Sequence, residues 1–284
     1  MRLIRVLLAI LLTLALFWAS PRLGHVDSEN NFLEATTRDF LVDHVALTQF
    51  SGKGEPQLSV RVTTPADTSA FHLLLYYQSG DTGSFQQQRI PHVTGTLDLF
   101  SVRLPALSRG SLYHYYILLQ DSTDQTLARL PEKQDGSITM RFLGTVPLWL
   151  IVVHVALLFL AALFAILALI DTTWPREEDV KLKRLSQKVL TSTIFIVFGG
   201  LISSAAISKI RNDVLWAGWP FGHDLSQSFW TIVLLYWIFL TLVFKGTIFG
   251  LRSKKNLIPT GGAVLLTLLG VILMVATYLM GINL

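Results

Sequence analysis

Long apolar runs punctuate this chain, and one stretch of alternating residues interrupts them. The runs are Leu3 to Ser20, Thr145 to Ile170, Val189 to Ser208, Phe229 to Gly250 and Ile258 to Met280. As helices, each is long enough to cross roughly 30 Å of hydrocarbon. After the first run the texture changes to QLSVRVTT, AFHLLLYYQSG, TLDLFSVRLP, SLYHYYILLQD and SITMRF, separated by turn-rich segments such as SGKGEP and SGDTGS. Short strands of period two with turn signals between them predict an antiparallel β-sandwich. In SLYHYYILLQD the residues Tyr113, Tyr115, Ile117 and Leu119 share one face, which predicts its core side.

The pattern therefore predicts a membrane α-helical bundle of five spans with an inserted all-β extracytoplasmic sandwich. Residues 1–20 form an N-terminal signal-anchor helix, 21–144 the sandwich with its core at about 41–143, and 145–284 a four-helix transmembrane bundle. Composition agrees, since 51% of residues are hydrophobic and only 15% charged, beyond the range of ordinary soluble domains. Phe17 and Trp18 stand where an A-x-A cleavage site needs a small residue, so a retained anchor is expected in place of a cleaved signal peptide.

Charge then orients the bundle. With the N-terminus in the cytoplasm, Arg176, Lys181, Lys183, Arg184, Lys188, Arg252, Lys254 and Lys255 fall in cytoplasmic loops, and the net charge of +4 is concentrated on that side. This is the positive-inside bias, and it accounts for the basic residues without a nucleic-acid partner. It predicts a bacterial inner (plasma) membrane location, with the β domain and the C-terminus outside the cytoplasm. The chain has no cysteine, which excludes disulfides, thiolate zinc, iron–sulfur clusters and covalent c-type haem.

LLLYYQSG is followed by a polar hairpin and then by LFSVRLPALSRGSLYHYYILLQD, where a strand, a proline, a Gly turn and a tyrosine-rich strand ending in Asp follow in order. Over about residues 41–143 this resembles an immunoglobulin-like or fibronectin type III domain. No family is indicated for the membrane part. The resemblance implies a binding or spacing role and names no ligand.

Chemistry within the spans is sparse. His154 lies on one helical face with Ala161, Ala165 and Ala168, so it points toward packed protein, where a polar group needs a partner. That partner is a Ser or Thr on a neighbouring helix, or a cofactor shared with His223 of the outer loop. Two imidazoles with Asp224 as acceptor suit a b-type haem, and a quinone is the other option; otherwise no cofactor is expected. His72, His92 and His114 come from separate strands or loops and predict no metal site. No catalytic set is recognisable.

Gly200, Ser204 and Ser208 recur at intervals of four and make a small-residue face suited to close helix approach, within the bundle or against another subunit. In WAGWPFGHDLSQSFW (216–230), Trp216, Trp219, Phe221, Phe229 and Trp230 suit an aromatic belt at the membrane surface. The surplus of turn residues with His223 and Asp224 predicts a contact surface made by Trp216, Trp219, Phe221, His223 and Asp224. Two functions compete. The first is a non-catalytic membrane subunit or scaffold that contacts lipids and other membrane-complex subunits and offers the sandwich to an extracytoplasmic protein partner. The second is a b-haem- or quinone-binding redox subunit using His154 and the 216–230 loop.

Overall fold

A computed structural model describes every residue except 1, 24–30, 38, 53, 66–69, 134–135, 173–177, 223–224, 249–257 and 280–284. The chain divides into a helical unit, Met1–Val26 with Val146–Lys209 and Val214–Leu284, and a β unit, Asp27–Thr145 with Ile210–Asp213.

The helices are α1 (Arg2–Leu23), α2 (Leu148–Thr172), α3 (Glu178–Ile196), α4 (Ser204–Asn212), α5 (Leu225–Val243), α6 (Lys245–Ile248) and α7 (Thr260–Leu279), and a π turn, Val197–Ser203, joins α3 to α4. Among the described residues four segments are long and apolar enough to cross a membrane: Leu3–Ser20, Leu148–Thr172, Val180–Asn212 and Thr260–Leu279. The fourth predicted run differs. Its helix begins at Leu225 and ends at Val243, with a turn at Phe244 before α6, so its apolar stretch Gln227–Val243 is shorter.

Small residues let these helices approach. Ala161, Ala165 and Ala168 of α2 are fully buried with Val189 and Ile196 of α3, Trp237 and Leu240 of α5, and Ala263 and Tyr278 of α7. Hydroxyls link the helices across this core. Ser192 donates to the Ala161 carbonyl at 2.8 Å, Tyr278 to that of Leu158 at 2.6 Å and Tyr236 to that of Leu266 at 2.8 Å. Leu11, Phe198, Leu235, Leu265 and Ile272 are exposed on the outside. Polar groups therefore lie inside and large apolar ones outside, the reverse of a water-soluble bundle.

The β unit comprises β1 (Phe32–Thr36), β2 (Leu41–Val45), β3 (Gln49–Phe50), β4 (Gln57–Thr63), β5 (Phe71–Ser79), β6 (Gln86–Ile90), β7 (Leu99–Arg103), β8 (Leu112–Asp121), β9 (Thr126–Leu130) and β10 (Ile138–Phe142). One sheet has the order β1-β2-β4-β7; the other runs β3-β10-β8-β5-β6, with β9 also on β8. All pairs are antiparallel except β3 with β10. β4 alternates exposed and buried throughout, and Tyr113, Tyr115, Ile117 and Leu119 of β8 are buried as the pattern predicts. Val60, Val62 and Phe100 from one sheet meet Leu73, Leu75 and Ile117 from the other in a single core. Each such side chain stabilises the fold by about 1.5–3 kcal/mol.

A polar chain crosses this core. The His44 ring sits between the Ser59 carbonyl, 2.8 Å from Nδ1, and the Tyr115 hydroxyl, 2.9 Å from Nε2. Because a carbonyl only accepts, the proton belongs on Nδ1, and Nε2 accepts from Tyr115. The Tyr115 oxygen in turn accepts from the Leu47 N–H at 2.9 Å. Burial pushes the His44 pKa below its ordinary value, partly offset by the Ser59 bond, and pushes the Tyr115 pKa up.

Candidate functional site

His154 is 3% exposed and faces the π turn. Its Nδ1 lies 2.9 Å from the Gly199 carbonyl and 2.8 Å from Ser203 Oγ, and Ser203 also donates to the Gly199 carbonyl at 2.6 Å. A π turn widens the i to i+4 ladder, and here its Gly199 carbonyl takes a donor from another helix. The carbonyl selects the tautomer with its proton on Nδ1. Gly199 permits the approach, since a Cβ there would stand 2.9 Å from Leu157 Cβ. The Nδ1 side of the ring is thereby committed to the π turn. His154 thus cross-links α2 to the π turn in the way expected of a helix-to-helix hydrogen bond. His223, the other predicted cofactor ligand, and Asp224 lie outside the described residues.

The small-residue face is covered by the chain's own helices. A Cβ on Gly200 would meet the Trp230 ring at 3.3 Å, and Ser204 and Ser208 are 8% and 1% exposed. The Ser208 hydroxyl has no hydrogen-bond partner among the described residues. Trp230 is likewise core, 3% exposed and edge-on to Tyr278 at 5.3 Å. This corrects its assignment to an aromatic belt: the turn of α5 that carries it packs against Gly200 and α7, not outward.

Sequence reasoning missed a charge cluster. Asp171, at the end of α2, is 7% exposed, and Arg5 of α1 donates to its Oδ1 at 2.6 Å. Lys188 of α3 donates to the other oxygen, Oδ2. Of the three, Lys188 is the one that charge counting assigns to a cytoplasmic loop. Instead all three lie within helices, in α1, α2 and α3, and the two cations share the one carboxylate.

The loop before α5 is held by its first turn. Gln227 Oε1 accepts from the N–H groups of Ala217 and Gly218 at 2.8 and 3.2 Å, and Ser228 Oγ accepts from that of Trp219 at 2.8 Å. Trp216 Nε1 donates to the Trp219 carbonyl at 3.2 Å. On this frame Trp219 is 57% and Phe221 82% exposed, beside exposed Leu215 and Leu225. Of the predicted contact residues in this loop, Trp219 and Phe221 are displayed and Trp216 is half-buried.

The β unit carries a depression of about 480 Å³ on the face of its larger sheet that points away from the core. Tyr76 and Tyr116, cross-strand partners on β5 and β8, stack at 4.9 Å and 4°. The Arg129 guanidinium lies 3.9 Å from the Tyr116 ring centroid, and Phe85 tilts against that ring at 5.1 Å. Beside them, His114 bridges Asp81, at 2.9 Å from Nε2, and Thr139, at 3.1 Å from Nδ1. Gln78 completes this wall. His72 and His92 lie elsewhere, one 3.4 Å from Asp124 and the other edge-on to Phe100. Among the described residues no group of three or more His, Cys, Asp or Glu is placed to hold a metal.

No family model matches the chain, and no curated protein matches it. Among solved structures it is similar to one described as "Crystal structure of Br derivative BhCBM56", at 13% identity and a TM-score of 0.25, over 38% of this chain and 97% of that one. A likeness at that level carries no argument about ligand or function.

Proposed function

We propose that the chain is an integral membrane protein of five spans, serving as a non-catalytic subunit or scaffold that presents an immunoglobulin-like sandwich outside the cytoplasm. The observation that carries this reading is the inverted packing of the helical unit: Asp171, Ser192 and His154 are inside, while Leu11, Phe198, Leu235 and Ile272 are outside. Lipid is the solvent that favours such a surface. α5 spans as well, its apolar stretch lengthened by the Phe244 turn and α6, which continue its hydrogen bonding through Phe244 N–H to Leu240 O and Ile248 N–H to Phe244 O.

The immunoglobulin-like assignment draws support from the strand order, with β2-β4-β7 facing β10-β8-β5-β6. It is supported too by Tyr113, whose hydroxyl donates to the Pro105 carbonyl at 3.1 Å just upstream of its strand, the arrangement of a tyrosine corner. Partner docking is supported by Trp219 and Phe221, large apolar groups displayed on a backbone-braced loop. Aromatic anchors on rigid supports are what interface centres use.

The test is purification from the native membrane in mild detergent with chemical cross-linking beforehand. The scaffold reading expects a co-purifying membrane protein whose yield falls when Trp219 and Phe221 are replaced by Ser. A stable monomer with no cross-linked neighbour would overturn it.

A further inference from the structure

We propose that the depression on the outer face of the larger β sheet binds a neutral saccharide. This goes beyond the scaffold reading and needs only the β unit, whatever the helical unit docks against.

The floor of the depression belongs to β5 and β8. Both are central strands, β5 paired to β8 and β6, β8 paired to β5 and to β10 and β9. Their main-chain groups are committed to these ladders, so a ligand here is read by side chains alone. A peptide adding as an extra strand would need a free edge instead. At about 480 Å³ the space falls within the range of small-ligand sites.

The side chains specify the chemistry. Asp81 only accepts, Arg129 only donates, and Gln78 does both, so the wall asks for a ligand whose groups alternate the two roles. A sugar hydroxyl donates and accepts at once. The charges of Asp81 and Arg129 cancel, so neither an anion nor a cation gains a net field. His114, with Asp81 on one ring nitrogen and Thr139 on the other, acts as a positioning residue: it holds one Asp81 oxygen while the Asp81 side chain stays 80% exposed.

The apolar part fits as well. Phe85 is 41% exposed although it sits among polar groups, tilted against Tyr116. A phenyl ring kept half in water at the mouth of a polar depression suits the C–H face of a pyranose, which packs on aromatic carbon while its hydroxyls turn to the rim. Tyr116 itself is held by its stack on Tyr76 and by Arg129, so the support against which Phe85 rests is formed before any ligand arrives.

The experiment uses the full chain in lipid nanodiscs, because glycosidic detergents would compete for such a site. Cellohexaose, maltohexaose and chitohexaose are titrated calorimetrically, with polygalacturonate as the anionic comparison. The expected result is saturable binding of at least one neutral hexasaccharide with a Kd between about 1 mM and 1 μM. Phe85→Ala and Asp81→Asn each weaken it by about tenfold or more, with thermal unfolding unchanged. The proposal is overturned if none of the three binds, if binding survives both substitutions, or if polygalacturonate binds more tightly than every neutral probe.

Discussion

Arg5 Nη1 lies 2.6 Å from Asp171 Oδ1, and Lys188 holds the other oxygen of the same carboxylate, so one buried acid ties α1 and α3 to α2. Removing the acid leaves cations in a low-dielectric interior, whereas replacing all three charges together removes that penalty. Asp171→Ala should therefore destabilise the bundle by about 3–5 kcal/mol in detergent unfolding, and the triple variant Arg5→Met, Asp171→Leu, Lys188→Met should recover much of the loss. A single variant as stable as the parent would show that the cluster is solvated.

The link between His154 and the π turn predicts a smaller effect. His154→Phe keeps an aromatic ring but withdraws the donor from the Gly199 carbonyl, leaving the hydroxyls of Ser203 and, at 3.4 Å, Ser204 as its side-chain donors. A loss of about 1–2 kcal/mol is expected from the thermal midpoint in detergent. Ser203→Ala in the His154→Phe background should cost more than in the parent, since each donor partly covers for the other.

Acid should loosen the β unit through His44. Burial holds its folded pKa below the ordinary value of 6.5, so between those two values the unfolded chain binds the proton and the folded one does not. The stabilisation is complete above about pH 6.5 and is lost as pH falls toward the folded pKa, with a slope of at most about 1.4 kcal/mol per pH unit. Unfolding followed by tyrosine near-ultraviolet dichroism between pH 7.5 and pH 5 should show this decline. His44→Gln, which cannot titrate, should flatten that part of the profile.

Two glycines in the aromatic loop contrast with one in a helix. A Cβ on Gly218 would stand 2.6 Å from Gln227 Cβ, and one on Gly222 would collide with the Ala217 carbonyl, whereas Gly261 of α7 faces open space. Gly218→Ala and Gly222→Ala should shift the tryptophan emission of the loop and reduce stability by about 1–3 kcal/mol. Gly261→Ala should be neutral or stabilising by up to about 1 kcal/mol.

What the sequence disclosed followed periodicity. The alternation in QLSVRVT and LYHYYILLQD placed the core faces of β4 and β8, and the helical phase of His154 with Ala161, Ala165 and Ala168 placed that face inside. What it concealed depends on relations between distant segments. Arg5, Asp171 and Lys188 each sit near the end of an apolar run, where a lone charge looks like a boundary; only the assembled helices show that they meet. Trp230 looked like an interfacial aromatic for the same reason. The sheet-face depression did leave a signal. Tyr76 and Tyr116 occupy the phase of their strands opposite Leu75 and Tyr115, and aromatics on a solvent phase ask for an explanation.

A π turn is an α-helix carrying one residue too many. Through Val197–Ser203 the backbone absorbs that surplus, so side chains beyond Ser203 are rotated by about 100° from where a helical wheel drawn through α3 would put them. Ser208 is buried only on the rotated phase of α4 relative to α3. Deleting a single residue within the turn would therefore act as a phase shift: α3 would keep its contacts, and every contact of α4 would be dealt to the wrong face.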